Sequence, residues 1–306
     1  MLKIAETIMK SQIQASLICS FFALLSFIFT PFVFLSAATI ALVTLRKGTN
    51  DSAVVIISSI AILTLFGYAS LNTLYAGLLY LFVWLPTLMA ASALRISRQL
   101  AVSIGSLFIL SIAVIILAYL WNGDPTLMWA SMLQSNTEFI QILDKGIIQI
   151  KEMNTEQIIM LVSKAMTGVV GVIFMVINII GIFIARWWQA LLYNPGGFQK
   201  DFHNLMINRQ LAYISIVIFI VMTISNGMLE SMMSALLSLS ITLFLFQGLS
   251  LFHATVMTYQ ANNSWLVMLY VLLIFALPQM ISLLSIIGFV DTFANFRQRF
   301  NKKTHN

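Results

Sequence analysis

"AMTGVVGVIFMVINIIGIFIARWWQALLYNPGGF", Ala165 to Phe198, is the stretch whose reading decides the fold of this chain. From Ala165 to Ala185 no residue is charged, and a helix needs about 20 mostly apolar residues to cross the hydrocarbon core of a bilayer. Arg186 ends the run, two tryptophans and a tyrosine follow, and Asn194-Pro195-Gly196-Gly197 turns the chain. Tryptophan and tyrosine concentrate where hydrocarbon meets headgroups, because their rings are apolar and one edge is polar. The proline biases Asn194 away from helix, and the two glycines permit a tight reversal. Phe198, Phe202, Leu205 and Met206 then recur on one helical face, with Lys200, Asp201 and Arg209 elsewhere. That pattern predicts a short interfacial helix. The stretch reads as a membrane exit. A second reading makes it a docking surface for a protein partner, anchored by Arg186, Trp187, Trp188 and Tyr193. No nucleophile or base pair accompanies it, so catalysis has no support there.

The rest of the chain repeats this pattern. Of 306 residues, 60% are hydrophobic and 8% charged, and the mean hydropathy is +0.97. A soluble domain carries roughly 25% charged residues, so this chain cannot cover a water-facing surface. The expected fold is all-α, a polytopic transmembrane bundle of about eight or nine hydrophobic segments in one integral membrane domain, residues 1–306. The sixteen Lys/Arg and ten Asp/Glu give a net charge of +6. The basic residues form short clusters between long uncharged runs, which orients helices in a bilayer and does not grip nucleic acid. The single cysteine, Cys19, lies in an apolar run, so neither a disulfide framework nor a cysteine metal site is expected. The apolar run after Lys10 is too long for the core of a cleavable signal, and the first segment reads as retained.

Walking the chain gives an N-terminal set of helices over 1–121, an extracytoplasmic amphipathic loop over 122–164, and C-terminal helices with a basic tail over 165–306. Ser11 to Leu45 divides near Pro31, and Ser52 to Leu94 divides at the polar Ser70 to Thr73. In the loop, Phe139, Leu143, Ile147, Ile150 and Met153 recur at helical spacing, as for a helix on the membrane surface or one packed on the bundle. Asn154 and Gln157 are placed to cap the next helix. The positive clusters at Lys3/Lys10, Arg46/Lys47, Arg95/Arg98, Arg186/Lys200/Arg209 and Arg297/Arg299/Lys302/Lys303 all belong on the cytoplasmic side. Up to Arg186 the parity closes. After Arg209 three simple spans, the last of them Trp265 to Val290, would carry the basic tail outside. One of the last segments is therefore re-entrant or broken, or an earlier pair is misassigned; Pro278 is a candidate break, because proline removes a helical hydrogen bond and clashes with the preceding turn.

Few ionisable or amide groups interrupt the runs. Asn178, Gln247 and His253 are the candidate ligand-binding residues, since polar groups inside spans are costly and mark functional sites. Each also has a plainer role: an amide bridging two helices, or a neutral histidine bonded to a carbonyl. If Asn72, Asn178, Gln247, His253 and Gln279 converge on one cavity, the protein binds or moves a solute; if they do not, a scaffold is favoured. Asp291 reads as a local partner of Arg297 and Arg299, and Glu230 as an interfacial carboxylate at a helix start. Small residues four apart, at Ser16/Ser20, Ala37/Ala41 and Ser234/Ser238, let helices approach closely. The sequence contains no P-loop, no HExxH, no Cys/His cluster and no paired carboxylates, so no catalytic residue, metal ligand or cofactor is expected, and the protein is not read as an enzyme.

Three segments carry a family resemblance: "ARWWQALLYNPGGFQKDFHNL" (Ala185 to Leu205), "FQGLSLFHA" (Phe246 to Ala254) and "VDTFANFRQR" (Val290 to Arg299). In this order they resemble the YybS-like family of uncharacterised bacterial multi-pass membrane proteins. The N-terminal half is similar to the S components of energy-coupling-factor transporters, in its short helices, its small residues and the "LRKGTND" turn. That likeness implies a small-molecule-binding subunit working with an ATPase and a coupling subunit, with Ser16 and Ser20 facing the latter. The alternative is a membrane scaffold or assembly factor that recruits a cytoplasmic partner.

Overall fold

The computed structural model describes residues 1–71, 75–144 and 153–298. They fold into helices, with no strand among the described residues. In chain order these are α1 (Leu2–Lys10), α2 (Gln12–Leu25), α3 (Phe32–Arg46), α4 (Thr49–Leu71), α5 (Ala76–Leu79), α6 (Leu81–Ser97), α7 (Leu100–Asn122), α8 (Thr126–Ser135), α9 (Thr137–Asp144), α10 (Thr155–Tyr193), α11 (Gly197–His203), α12 (Arg209–Ile224), α13 (Met228–Thr258), α14 (Ser264–Phe275) and α15 (Leu277–Ala294). Among the described residues six helical stretches are long and apolar enough to cross a membrane, and α2, α3, α12 and α14 are shorter apolar helices. The chain is a polytopic helical bundle.

Side-chain contacts fix the helix directions. Gln12 donates to Asp51, so α2 and α4 start at the same end. Arg95 donates to the Thr44 carbonyl at 3.0 Å, so α3 and α6 finish there. Arg46 lies 3.7 Å over the Tyr193 ring, which brings the end of α10 to the same place. This basic end gathers Arg46, Lys47, Arg95, Arg98, Arg186, Lys200, Arg209 and Arg297. Asp124, Glu138, Glu156 and Glu230 stand at the far end.

α10 is the axle, with α3 against one side and α13 against another. Small residues permit both approaches: a Cβ on Gly181 would lie 2.8 Å from that of Ala37, and one on Gly168 would lie 3.2 Å from the Ala235 backbone. At 39 residues, α10 is roughly 58 Å long at 1.5 Å per residue, well beyond the ~30 Å hydrocarbon core. It begins ten residues before the expected span, at the capping box that Asn154 and Gln157 form, with bonds of 2.9 and 3.0 Å. Its first turns are covered by α8 and α9, where Ile158 and Ile159 pack with Ala130 and Leu143, and Phe139 joins them. So α9 packs on the bundle; Ile147 and Ile150 of the expected stripe lie outside the described residues.

The conflict after Arg209 is resolved by the last segment. Trp265 to Val290, expected as one span, is two helices. The chain breaks at Ala276 (φ −128°, ψ 45°), and Pro278 sits in the first turn of α15, where its missing N–H costs nothing. The 12 residues of α14 reach only about 18 Å, too short to cross. α15 then returns parallel to α13: Ser285 donates to the Ile241 carbonyl at 2.8 Å, and, six residues on in both helices, Gln247 donates to Asp291 at 3.1 Å. The two backbones nearly touch. A Cβ on Gly248 would sit 2.0 Å from the Leu284 carbonyl oxygen, and one on Gly288 would sit 2.1 Å from that of Phe244. The end of α15 therefore lies at the basic end, as the charge pattern requires.

The small pairs also find helix partners. Ser16 and Ser20 are buried beside α4, whose Ser59 donates to the Ser16 carbonyl at 3.3 Å. The pair that the S-component likeness would turn toward a coupling subunit is covered by the protein's own helix.

Candidate functional site

Asn178, Gln247 and His253 sit in separate contacts. Asn178 is buried in α10, accepts from the Thr87 hydroxyl of α6 at 2.7 Å, and donates to the Phe174 carbonyl at 2.8 Å. It bridges two helices. His253 Nε2 lies 2.9 Å from the Tyr270 hydroxyl, a contact between α13 and the middle of α14, and its ring meets Phe202 edge-on. Gln279 is exposed on α15, and Asn72 lies outside the described residues. Asn178, Gln247, His253 and Gln279 do not meet around one cavity.

Gln247 belongs to a different arrangement. Its Oε1 accepts from the Ile207 backbone N–H at 2.9 Å and from the Thr292 hydroxyl at 3.2 Å, and its Nε2 donates to Asp291. Asp291, fully buried, also accepts from the Phe296 N–H at 3.0 Å and stands 3.8 Å from Arg297. The local pair expected between Asp291 and Arg297 is present; Arg299 lies outside the described residues. Arg297 reaches further, donating to the Leu205 carbonyl at 2.6 Å and to the Ser250 hydroxyl at 3.0 Å, while Ser250 donates to the Phe202 carbonyl. The end of α15 and the middle of α13 thus clamp the irregular backbone between α11 and α12. Residues 202–207, 247–250 and 291–297 fall within or directly after the three segments that carried the resemblance, and the knot joins all three. His203 lies beside it; burial, reinforced by the Arg297 charge, holds its pKa below the usual histidine range.

The docking candidates divide. Trp187 is 38% exposed and Tyr193 47%, while Trp188 is fully buried in the core. Neighbours on a helix point about 100° apart, so the pair cannot share a surface; Trp188 is a core residue and is withdrawn as an anchor. Arg186 pairs with Asp201 at 2.8 Å and donates to Gln189 at 3.0 Å.

Arg186 and Tyr193 also line a polar cavity of about 540 Å³ at the basic end. Arg46 and Leu45 from the end of α3, Leu94, Arg95 and Arg98 from α6 and its cap, and Gln189, Asn194 and Asp201 complete its wall. Sequence reading placed these arginines on one side of the membrane; their meeting around one space was not anticipated, because residues 46, 95, 98 and 186 carry no signal of mutual distance. By contrast, a cavity of about 310 Å³ between α7, α8 and α10 and a groove of about 530 Å³ between α12, α13 and α15 have mainly apolar walls. Among the described residues no group of three or more His, Cys, Asp or Glu is arranged to hold a metal.

Against known families, residues 13–292 match the model of predicted membrane proteins designated DUF2232. The chain belongs to this family. The match takes in α3 to α14, nearly all of α2 and α15, and the knot as far as Thr292; Arg297, which closes the clamp, lies just beyond it. No curated protein matches. No solved structure matches.

Proposed function

We propose that the protein is a membrane scaffold whose working face is its basic end, and not a conduit for solute through the bundle. One observation carries this reading: the polar groups inside the spans are spent in separate helix-to-helix contacts. Asn178 joins α10 to α6, Gln247 joins α13 to α15 and to the α11–α12 connection, and His253 joins α13 to α14. A transport path needs such groups to face one another across a shared space. The positive-inside rule places the basic end in the cytoplasm, where Trp187 and Tyr193 present rigid, amphipathic rings of the kind that anchor interfaces. The S-component-like reading, with an ATPase or coupling subunit as partner, is the alternative.

A photoreactive residue at position 187, in cells, tests it. The expected result is a crosslink to one defined protein that disappears with Tyr193→Ala and does not form from position 57 on the lipid-facing side of α4. Co-purification of a small molecule that is lost with His253→Ala would overturn the scaffold and restore the conduit.

A further inference from the structure

We propose that the arginine-lined cavity at the basic end is a binding site for a phosphate-bearing anion. Four guanidinium groups from three separate helical segments face it, and Asp201 is the one carboxylate on its wall. The rule that basic residues stay on the cytoplasmic side explains their side but not their convergence. Like charges brought together repel, and an anion relieves that repulsion.

Three of the guanidiniums are held in place without losing their charge to a carboxylate or are only partly engaged. Arg46 is stacked on the Tyr193 ring. Arg95 donates to the Thr44 carbonyl and leans over Gly48, where a Cβ would come within 2.5 Å of its Nη1. Arg186 uses Nε on Asp201 and Nη1 on Gln189, which leaves Nη2 for a ligand. Arg98 stands apart from these. It is exposed, and its guanidinium makes no hydrogen bond or ion pair among the described residues, yet its backbone closes α6 in the left-handed region (φ 57°, ψ 22°), its N–H donating to the Leu94 carbonyl at 2.8 Å. Glycine or asparagine fills that cap position at lower cost. An arginine kept in a conformation that disfavours it, with all its donors open to a cavity, points to a ligand.

The chemistry of the wall selects the ligand class. A guanidinium fork matches two oxygens of a phosphate, and several forks can share one phosphate or a pyrophosphate. The amides of Gln189 and Asn194 add neutral hydrogen-bonding groups, and Leu45, Leu94 and the Tyr193 ring supply an apolar floor. The volume lies in the range of small-molecule sites, roughly 300–1,000 Å³, so the ligand carries an organic portion beside its phosphate. At headgroup depth this chemistry has two sources: the headgroup of an anionic phospholipid, for which basic pockets between helices are known sites, or a free phosphoryl compound.

The test uses the full-length protein purified in a neutral detergent, titrated calorimetrically with inorganic pyrophosphate. In parallel, protein from vesicles of phosphatidylcholine and phosphatidylglycerol is analysed by native mass spectrometry for retained lipid. Arg98→Gln is expected to weaken binding about tenfold or more, the loss of one charge-assisted pair. Arg98→Gly should lose binding to the same degree while raising the unfolding midpoint, which separates loss of the site from loss of the fold. Arg209→Gln, an exposed arginine at the same end but outside the cavity, should bind as the parent does. Pyrophosphate binding that depends on Arg98 assigns a free phosphoryl ligand; phosphatidylglycerol retention that depends on Arg98, without pyrophosphate binding, assigns a lipid. If the parent binds neither, if Arg98→Gln binds normally, or if Arg209→Gln loses as much, the site is overturned. The proposal shares the basic end with the scaffold reading but does not rest on it, and a failed crosslink from position 187 leaves this test unaffected.

Discussion

Arg297 and Arg98 occupy the same end of the bundle and are put to opposite use. Arg297 has one guanidinium nitrogen on a carbonyl and another shared between a hydroxyl and a buried carboxylate. Arg98 has an exposed side chain beside an open cavity and a backbone in a costly conformation. An arginine whose two terminal nitrogens are both engaged by the protein's own acceptors belongs to the fold. An arginine that the fold strains to present, and then leaves unspent, belongs to whatever the fold meets. The contrast depends on partners, since both residues follow closely on a helix end and carry the same charge.

The comparison is broken hardest at Arg297. Arg297→Ala strands the Asp291 carboxylate in a fully buried position and frees the 202–207 connection, at an expected cost of about 3–5 kcal/mol. Thermal unfolding in detergent measures it. A double variant that also carries Asp291→Asn should recover part of the loss, because neutralising the carboxylate removes the unpaired charge. Equal stability of Arg297→Ala and the parent would dissolve the distinction between the two arginines.

A smaller effect is expected at Gln247→Leu. The substitution leaves the buried Ile207 N–H without its acceptor and Asp291 without one donor, which costs about 1–3 kcal/mol for an unsatisfied buried group. Protection of the Ile207 amide from hydrogen exchange should fall with it. Unchanged protection would mean that α13 does not hold the connection in place.

The smallest effect is a pH dependence at His203. Its folded-state pKa is lowered, by burial first and by Arg297 second, so the unfolded chain takes up a proton that the folded chain resists. Stability therefore falls as pH drops below about 6.5, the ordinary histidine value. His203→Gln should flatten that part of the stability profile relative to the parent. A profile identical to the parent's would remove His203 from the account.

How much of this was legible in the sequence depends on whether the signal was local. The turn at Pro31, the capping box at Asn154 and Gln157, and the break at Pro278 are each written in a few adjacent residues, and the backbone chemistry of those residues decides them. The parity of the basic clusters required a break somewhere after Arg209, and Pro278 supplied it. Trp188 was misread because membership of an aromatic pair suggested an interface, whereas helical geometry sends the second ring inward. The pairing of Asp291 with Arg297 was readable at six residues' separation. Its extension to Gln247, Ser250 and the Leu205 carbonyl was not, since those contacts join positions 40 or more residues apart and only packing selects them. The closest backbone approach, Gly248 with Gly288, was missed for the same reason: the small residues that matter lie on different helices, and a search for small residues four apart sees one helix at a time. The arginine cavity is the extreme case, in which sidedness was readable and adjacency was not.

The break at Ala276 has a consequence for how the chain enters the membrane. α14 and α15 leave from the basic end and return to it, so in the orientation that the positive-inside rule favours the pair can insert as one hairpin. The tail that follows carries Arg297, Arg299, Lys302 and Lys303, and moving each such charge through the hydrocarbon would cost about 2.5–3.5 kcal/mol on insertion scales. A hairpin spares them the crossing. Once inserted, such a hairpin has a ready berth: the glycine seam of α13 receives α15, and Arg297 latches it to the 202–207 connection, which precedes it in the chain.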